Sequence, residues 1–134
     1  MILDTQFLGE LVEQREAARA MAADLEDRKA VLRVPSMVVW EVYYGVENAP
    51  ESKREVLQSG YEKLFRALPV VDLNDELARR AGELRGRHAR SSSLRNLDGA
   101  DSAVAATALS YDEPVVSNDR DFEDVDGLDV ATYH

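Results

Sequence analysis

Acidic residues stand beside short apolar segments at several widely separated points of this sequence. Asp4 ends the first apolar segment, and Asp119 and Asp121 follow the fourth. Asp101 lies in the first turn of an alanine-rich segment, and Glu41 lies one to two turns into an amphipathic one. Carboxylates that lie close together repel each other, so at neutral pH either their pKa values are raised or they bind a cation. If these side chains meet in the folded chain, they predict a cation site built from oxygen ligands.

The chemistry of such a site follows from the ion that it would hold. Arg120 is the only Lys or Arg next to these acids in the chain, so a divalent metal is the natural neutraliser. Mg²⁺ and Mn²⁺ prefer oxygen ligands and keep several waters. Such an ion makes a bound water a better nucleophile, and a second ion ~3.5–4 Å away would stabilise the leaving oxygen. The residues therefore predict phosphodiester hydrolysis by an activated water, with Thr5, Ser117 and Asn118 placed to hydrogen-bond the carboxylates or metal-bound waters.

The composition excludes several other kinds of chemistry. The chain has no Cys, which excludes thiol nucleophiles, cysteine–zinc sites and disulfides, and its only histidines are His88 and His134. The net charge of −10 argues against a general basic nucleic-acid binder, but it does not exclude an enzyme that holds a cation between its acids and a phosphodiester. We expect His88 to lie on a solvated helix face, and isolated acids such as Asp124 and Asp126 to be surface charges.

The length and the distribution of apolar residues suit a water-soluble protein. A chain of 134 residues, 45% of them hydrophobic, fits one domain of ordinary size with a real core. No apolar run approaches the ~20 residues of a membrane span. The first residues do not have the basic start and long apolar stretch of a signal peptide. We therefore expect a cytoplasmic protein without a membrane segment.

Short apolar segments alternate with longer segments of helical period along the whole chain. The short segments predict strands at 1–3, 31–34, 69–73, 114–117 and 128–133. The longer ones predict helices at 7–28, from an N-cap at Ser36 onward, at 53–67, from a cap at Asn74 or Asp75 to about 89, and at 100–111. Apolar strands that alternate with helices are typical of a parallel sheet covered on both faces. We predict a single domain over residues 1–134, a three-layer α/β/α sandwich with a central parallel sheet of about five strands.

This fold would gather the acids on one rim. In open parallel sheets, functional groups collect beyond the carboxyl ends of the strands, near the point where strand order reverses. Asp4 and the Asp119 loop both follow predicted strands, so we expect them at the same edge.

Four segments make the sequence similar to a known family. They read ILDTQFL at the N-terminus, VPSMVVWEVYYGV around Glu41, ADSAVAATAL around Asp101, and PVVSNDRDF before the last strand. In this order and spacing they resemble the PIN-domain ribonucleases, and among these the VapC-type toxins of prokaryotic toxin–antitoxin modules. The resemblance covers essentially the whole chain.

The resemblance implies roles for individual acids. Asp4, Glu41 and Asp101 correspond to the first three metal-binding acids of the family. For the fourth, the alignment of Ser117 with a family threonine favours Asp119, while Asp121, directly before Phe122, is the alternative. Asp98, about one turn before Asp101, is a candidate accessory ligand.

The resemblance also implies an activity and partners. It suggests a Mg²⁺- or Mn²⁺-dependent endoribonuclease that acts as the toxin of a toxin–antitoxin pair on a structured RNA such as transfer RNA. A small antitoxin protein would dock in the active-site groove. The family commonly forms homodimers, which fits the excess of aromatic and aliphatic residues at 40–46, where Trp40, Tyr43 and Tyr44 are typical of core or interface residues.

Arginines are concentrated in one segment that leads toward Asp101. Only Glu83 opposes them between the first and the last, and the arginines are Arg79, Arg80, Arg85, Arg87, Arg90 and Arg95. Helix positions three and four apart lie together, so several of them are expected to form one stripe. One hypothesis is that Arg85, Arg87 and Arg95 hold RNA phosphates beside the metal site. The alternative is that these arginines pair with the surplus acids or with an acidic partner.

Two other functions use the same residues differently. A single-strand or flap-type DNA nuclease would employ the same acids, because recognition of the RNA 2′-OH leaves no local motif. A non-catalytic interaction module would carry the acids as surface charge only. Ion binding that depends on Asp4 would distinguish an enzyme from such a module.

Overall fold

Five short parallel strands form the centre of the molecule. In a computed structural model that describes residues 1–134, the strands are β1 (Ile2–Leu3), β2 (Val34–Pro35), β3 (Val70–Val71), β4 (Val115–Val116) and β5 (Val130–Ala131). Strands β1, β4 and β5 form one sheet and β2 and β3 another, and a parallel bridge between Ile2 and Arg33 joins the two. The resulting order is β3-β2-β1-β4-β5, which confirms the predicted parallel α/β sheet, although each strand is shorter than expected.

Helices connect the strands and cover the sheet. They are α1 (Thr5–Val12), α2 (Glu16–Asp27), α3 (Ser36–Asn48), α4 (Glu51–Ala67), α5 (Asp75–Ala89) and α6 (Gly99–Tyr111), and a short 3-10 helix spans Arg120–Phe122. The chain moves outward from β1 to β3 and then returns to β4 and β5. Because parallel crossovers are right-handed, this reversal puts the first four helices and the last two on opposite faces.

The core lies on both sides of the central strands. Strands β1, β2 and β4 are completely buried, whereas β3 and β5 at the two edges are partly exposed. Helix α6 is buried along most of its length through small side chains such as Ala103, Ala105 and Ala106. Such side chains allow this helix to approach both the sheet and α5 closely, so the alanine-rich segment has the tight packing that its composition predicts.

Two local predictions were wrong. The helix predicted at 7–28 is divided into α1 and α2, since Gln14 adopts a left-handed backbone with φ of 60° and ends the first helix. Ser36 is not an N-cap. It is the first residue of α3, and its Oγ accepts a hydrogen bond of 2.9 Å from the Leu73 amide at the end of β3. The predicted cap at Asn74 is confirmed, with its Oδ1 2.9 Å from the Leu77 amide.

His88 is buried, contrary to the expectation of a solvated face. Its side chain is 3% exposed, and Nδ1 lies 2.9 Å from the Arg95 carbonyl oxygen. It follows Leu77, Ala81 and Leu84 on the stripe of α5 that faces the core, which the helical spacing of these residues would have indicated.

No helix of the structure has the length and apolar character that crossing a bilayer requires.

Candidate metal centre

The acids collect where the strand order reverses, between β1 and β4. Leu3 pairs with Val116, so Asp4 and Ser117 leave adjacent strands at the same level. Strands on the two sides of β1 connect in opposite directions, and this arrangement opens a crevice at their carboxyl ends. Helices α1, α3 and α6 all begin near this crevice, following Asp4, Pro35 and Asp98.

Asp4 lies at the bottom of the crevice and is only 4% exposed. Its Oδ1 accepts a hydrogen bond of 2.8 Å from the Phe7 amide and caps the N-terminus of α1. Burial raises the pKa of Asp4 to about 6, a hydrogen bond from Ser117 and the Phe7 amide oppose the increase, and the charges of Asp119 and Glu10 add to it. A buried carboxylate with two acidic neighbours is a group that a cation would stabilise.

Glu41 reaches the crevice from α3 and contacts α1. The Thr5 hydroxyl donates a hydrogen bond to Glu41 Oε1. Burial raises the pKa of Glu41, and the charge of Asp98 raises it further, while the Thr5 hydrogen bond lowers it. One oxygen of Glu41 is thereby held by α1, and the carboxylate is directed toward the start of α6.

Asp101 is the acid that the others surround. Burial raises its pKa to about 8, and the charges of Asp98, Asp119, Glu41 and Asp4 all contribute to the increase, in that order. Asp98 is exposed and caps α6, since its Oδ1 accepts a hydrogen bond of 2.7 Å from the Asp101 amide. Carboxylates from four separate segments of the chain therefore act on one side chain.

Asp119 and Asp121 lie in one tight turn that faces Asp101. One carboxylate oxygen from each of Asp101, Asp119 and Asp121 lies within 4.8 Å of the other two. Ser117 Oγ accepts from the Asp119 amide at 2.9 Å, and Asp119 Oδ1 accepts from the Asp121 amide at 2.9 Å. Of these two acids, only Asp119 also contributes to the raised pKa of Asp4, so its charge acts on both Asp4 and Asp101.

Asn118 is directed away from the carboxylates. Its Oδ1 accepts a hydrogen bond of 2.8 Å from the Tyr133 amide and ties the loop after β4 to the segment after β5. Tyr133 packs edge-on against Phe7 with 5.1 Å between ring centroids. Its buried hydroxyl has no well-oriented hydrogen-bond partner, and burial together with the nearby Glu10 carboxylate raises its pKa. Sequence reasoning missed Glu10 and Tyr133, because neither stands next to a predicted strand end.

The arginine segment does not form one stripe at this site. Arg79 pairs with Glu76 at 3.2 Å and with Glu83 at 3.0 Å, and Arg80 pairs with Glu76 at 3.0 Å. These two arginines are occupied by acids of their own helix, as the alternative interpretation expected.

Arg85 is the arginine that lies beside the acids. Its Nη1 is 3.0 Å from the position that a Cβ on Gly99 would occupy, so the guanidinium rests against the first residue of α6. Arg87 is two positions further along the helix, about 200° around its axis, and lines a separate groove with Glu83 and Arg90. Arg95 precedes α6, and both of its backbone groups are hydrogen-bonded.

The donor set fits a hard divalent cation. All the candidate ligands are carboxylate oxygens, and the cluster contains no sulfur or imidazole nitrogen. An ion with metal–oxygen distances of about 2.1 Å spans about 4.2 Å between opposite ligands, close to the observed spread. Burial is the main cause of the raised pKa values of Asp4 and Asp101, with neighbouring acids adding to it, and a bound cation would favour the charged form of both.

Comparison with known proteins agrees with this fold. The model of the PIN domain family matches residues 1–128. The match covers nearly the whole sequence, so the chain belongs to the PIN domain family. No curated protein matches the chain significantly.

Several solved structures share the fold. VapBC2 from Rickettsia felis bound to a DNA fragment from their promoter is 19% identical with a TM-score of 0.83, covering 99% of this chain and 98% of that one. DNA-bound VapBC from Salmonella typhimurium is 23% identical with a TM-score of 0.82, covering 98% and 96%. Mycobacterium tuberculosis VapC20, described as a sarcin–ricin loop cleaving toxin, is 18% identical with a TM-score of 0.68, covering 91% and 92%. The structural neighbours are thus VapC toxins of VapBC systems, the group that the sequence resembles.

Proposed function

We propose that this protein is a metal-dependent endoribonuclease and the toxin of a toxin–antitoxin pair, acting through a single PIN-like nuclease domain over residues 1–134. The observation that carries the proposal is the environment of Asp101, whose pKa is raised to about 8 by burial and by four other carboxylates. One oxygen from each of Asp101, Asp119 and Asp121 also lies within 4.8 Å of the other two, and like charges held this close favour binding of a cation.

The acids divide into proposed ligands and supporting residues. Asp4, Glu41, Asp101 and Asp119 would hold Mg²⁺ or Mn²⁺, with Asp121 as the alternative to Asp119 and Asp98 as an accessory ligand. When bound, the ion supplies activation of a water and stabilisation of charge on the phosphate oxygens.

Hydroxyl groups orient the proposed ligands. Thr5 donates to Glu41, and Ser117 interacts with both Asp4 and the Asp119 amide. Hydrogen bonds of this kind fix the direction in which a carboxylate presents its oxygens.

Arg85 is the proposed contact for the RNA backbone. Its guanidinium lies against Gly99, beside the acids at the start of α6, and it has no ion-pair partner. A free guanidinium next to a cation site can hold a phosphate by paired hydrogen bonds. Arg95 is a second candidate, whereas Arg87 projects from another flank of α5 and would contact only a more distant part of the RNA.

The proposed substrate and protein partner are suggested by the solved structures that share this fold. Two of the neighbours are VapBC structures, and VapC20 is described as a sarcin–ricin loop cleaving toxin. We therefore propose a structured RNA substrate, transfer RNA among the candidates, and a small antitoxin protein that docks in the active-site groove, all in the cytoplasm.

A homodimer is also proposed, with a narrower contact surface than residues 40–46. In α3, Val42 and Val46 are buried, and Tyr43 packs against Phe65 with 6.0 Å between ring centroids. Trp40 and Tyr44 remain 59% and 62% exposed and stack on each other. These two rings are the part of the segment that a second subunit would cover.

The test compares the wild type with Asp101→Asn on end-labelled structured RNA. Wild type is expected to produce discrete cuts with Mg²⁺ or Mn²⁺ and none with EDTA, while the variant binds the RNA without cutting it. A DNA strand of the same sequence is the control for the DNA-nuclease alternative, and cleavage of that strand alone would favour it. Absence of both ion binding and cleavage would favour the interaction module.

A further inference from the structure

Two loops carry the acids that meet at the entrance of the crevice. The loop at 90–98 connects α5 to α6 and ends in Asp98, three residues before Asp101. The turn at 117–125 follows β4 and contains Asp119 and Asp121. Both loops present negative charge to the same space, so electrostatic repulsion acts to separate them.

A single hydrogen bond joins these two loops. Asp124 Oδ2 accepts from the backbone amide of Arg95 at 2.8 Å, and no other hydrogen bond or ion pair connects residues 90–98 with residues 117–125. Asp124 lies three positions after Asp121, and Arg95 lies three positions before Asp98. The bond therefore joins the two loops at points three residues along the chain from Asp98 and Asp121.

The other backbone group of Arg95 is held from the opposite direction. Its carbonyl oxygen is 2.9 Å from Nδ1 of the buried His88 on α5. One residue of a polar loop is thus fixed through both its amide and its carbonyl, by side chains from two different elements. This geometry defines the position of the loop relative to α5 and to the turn after β4 at the same time.

We propose that Asp124 is a positioning residue that tethers the two acid-bearing loops and so preorganises the metal centre, with His88 anchoring the same peptide from α5. The proposal rests on the proposed metal-dependent function. In this proposed role Asp124 contacts neither the metal nor the substrate. Its hydrogen bond keeps the acids of the first loop, Asp98 and Asp101, close enough to Asp119 and Asp121 of the second for one ion to bridge them. In the metal-free protein this bond opposes the repulsion between the two sets of acids.

Apolar packing alone does not supply this tether. Leu97 and Phe122 anchor their respective loops in the core, and both are fully buried. Apolar contacts are not directional, however, and they leave the facing turns free to rotate by small amounts. A charge-assisted hydrogen bond between backbone and carboxylate fixes the spacing more narrowly.

The experiment measures Mn²⁺ binding by calorimetry on the full chain for Asp124→Ala, Asp124→Asn and a control, Asp126→Ala. Asn keeps an oxygen acceptor for the Arg95 amide, and Asp126 is an exposed acid two residues away without a hydrogen bond. We expect Asp124→Ala to raise the Kd for Mn²⁺ about tenfold, the scale of one lost charge-assisted hydrogen bond. Asp124→Asn and Asp126→Ala are expected to stay near the wild-type value.

A second measurement uses the wild type alone and does not depend on a variant that folds. Hydrogen exchange of the Arg95 amide is expected to be slow in the metal-free protein and slower still with Mn²⁺, because the ion removes the repulsion that opposes the bond. An amide that exchanges at the rate of a free loop would overturn the tether.

The outcomes separate the tether from the proposed function. If wild type and Asp124→Ala bind Mn²⁺ equally, or if all three variants weaken binding equally through charge alone, the tether is wrong while the metal centre stands. If the wild type binds no Mn²⁺, the metal centre itself is wrong, and the tether has no role. His88→Asn, which keeps a nitrogen donor near Nδ1, is expected to retain more Mn²⁺ affinity than His88→Ala.

Discussion

The Thr5 hydroxyl donates a hydrogen bond to the Glu41 carboxylate across 36 positions of sequence. The bond joins the first turn of α1 to the middle of α3 and leaves one glutamate oxygen available to face Asp101 and Asp98. It is the clearest case in this molecule of a polar side chain that orients an acid of the cluster.

Replacing Thr5 by valine is expected to weaken metal binding without unfolding the protein. Valine keeps the shape of threonine but has no donor, so Glu41 loses its fixed orientation and its pKa rises further. We expect about tenfold lower cleavage at limiting Mn²⁺, measured as initial rate on a labelled RNA, and recovery with Thr5→Ser. Equal rates for valine and wild type across Mn²⁺ concentrations would contradict this role.

The metal-free protein is expected to lose stability as pH rises. In the folded state the pKa of Asp4 is about 6 and that of Asp101 about 8, both above their unfolded values. The folded state therefore binds more protons between pH 4 and pH 8, and its free energy of unfolding falls as pH rises through this range.

Thermal unfolding with EDTA tests this pH dependence. The Tm of wild type is expected to decrease by a few degrees from pH 5 to pH 9, and Asp101→Asn is expected to reduce the decrease. At pH 4 the two proteins should unfold at similar temperatures, because Asp101 is protonated in the folded state there. A Tm of Asp101→Asn below that of wild type at pH 9 would argue against repulsion at this site.

Ion binding at neutral pH is expected to release a proton. A group with a pKa of about 8 is largely protonated at pH 7, and a carboxylate ligand must lose its proton to bind a metal. Calorimetry of Mn²⁺ binding in buffers with different ionisation enthalpies should report release of about one proton per ion. Asp101→Asn should remove this buffer dependence together with most of the affinity, whereas binding without proton release would place the ion elsewhere.

Charge reversal at Arg85 is expected to weaken RNA binding. Arg85→Glu places a negative charge beside the start of α6, where the proposed phosphate contact lies, and should reduce the salt slope of the affinity by about one. Arg87→Glu should have a smaller effect because it projects from another flank of α5. Arg79→Ala is the control, since Arg79 is already paired with Glu76 and Glu83. Unchanged binding in Arg85→Glu would refute the contact.

Truncation of the exposed aromatic pair tests the proposed dimer. Trp40 and Tyr44 stack on each other, pair with no other aromatic ring of the chain, and are 59% and 62% exposed. Light scattering is expected to show a dimer for wild type and a monomer for the double change to alanine. Trp40 is the only tryptophan, so its fluorescence should shift to longer wavelength as the wild-type dimer is diluted. A wild-type protein that is monomeric by light scattering would contradict the proposed homodimer.

The class of the fold could be read from the amino-acid sequence, which also singled out acids whose charges act on one another in the structure. Alternation of short apolar segments with helical periods is a local property, and it correctly predicted the parallel sheet with its covering helices. Asp4 could be singled out as a candidate functional residue because an acid directly after a buried strand is difficult to explain as a surface charge. Asp101 could be recognised because it opens a helix too apolar to be exposed.

Which side chains from distant parts of the chain contact each other could be seen only in the tertiary structure. Periodicity indicates which face of a helix is buried, but not what that face contacts, so neither the contact of His88 with the Arg95 carbonyl nor the hydrogen bond from the Arg95 amide to Asp124 follows from the sequence. Ser36 is a second example, because its hydroxyl accepts a hydrogen bond from the Leu73 amide, beyond β3, and caps no helix. The arginines are a third, because their positions around the axis of α5 separate Arg85 from Arg87. These relationships depend on distances between segments far apart in sequence, which exist only once the strands have taken their order.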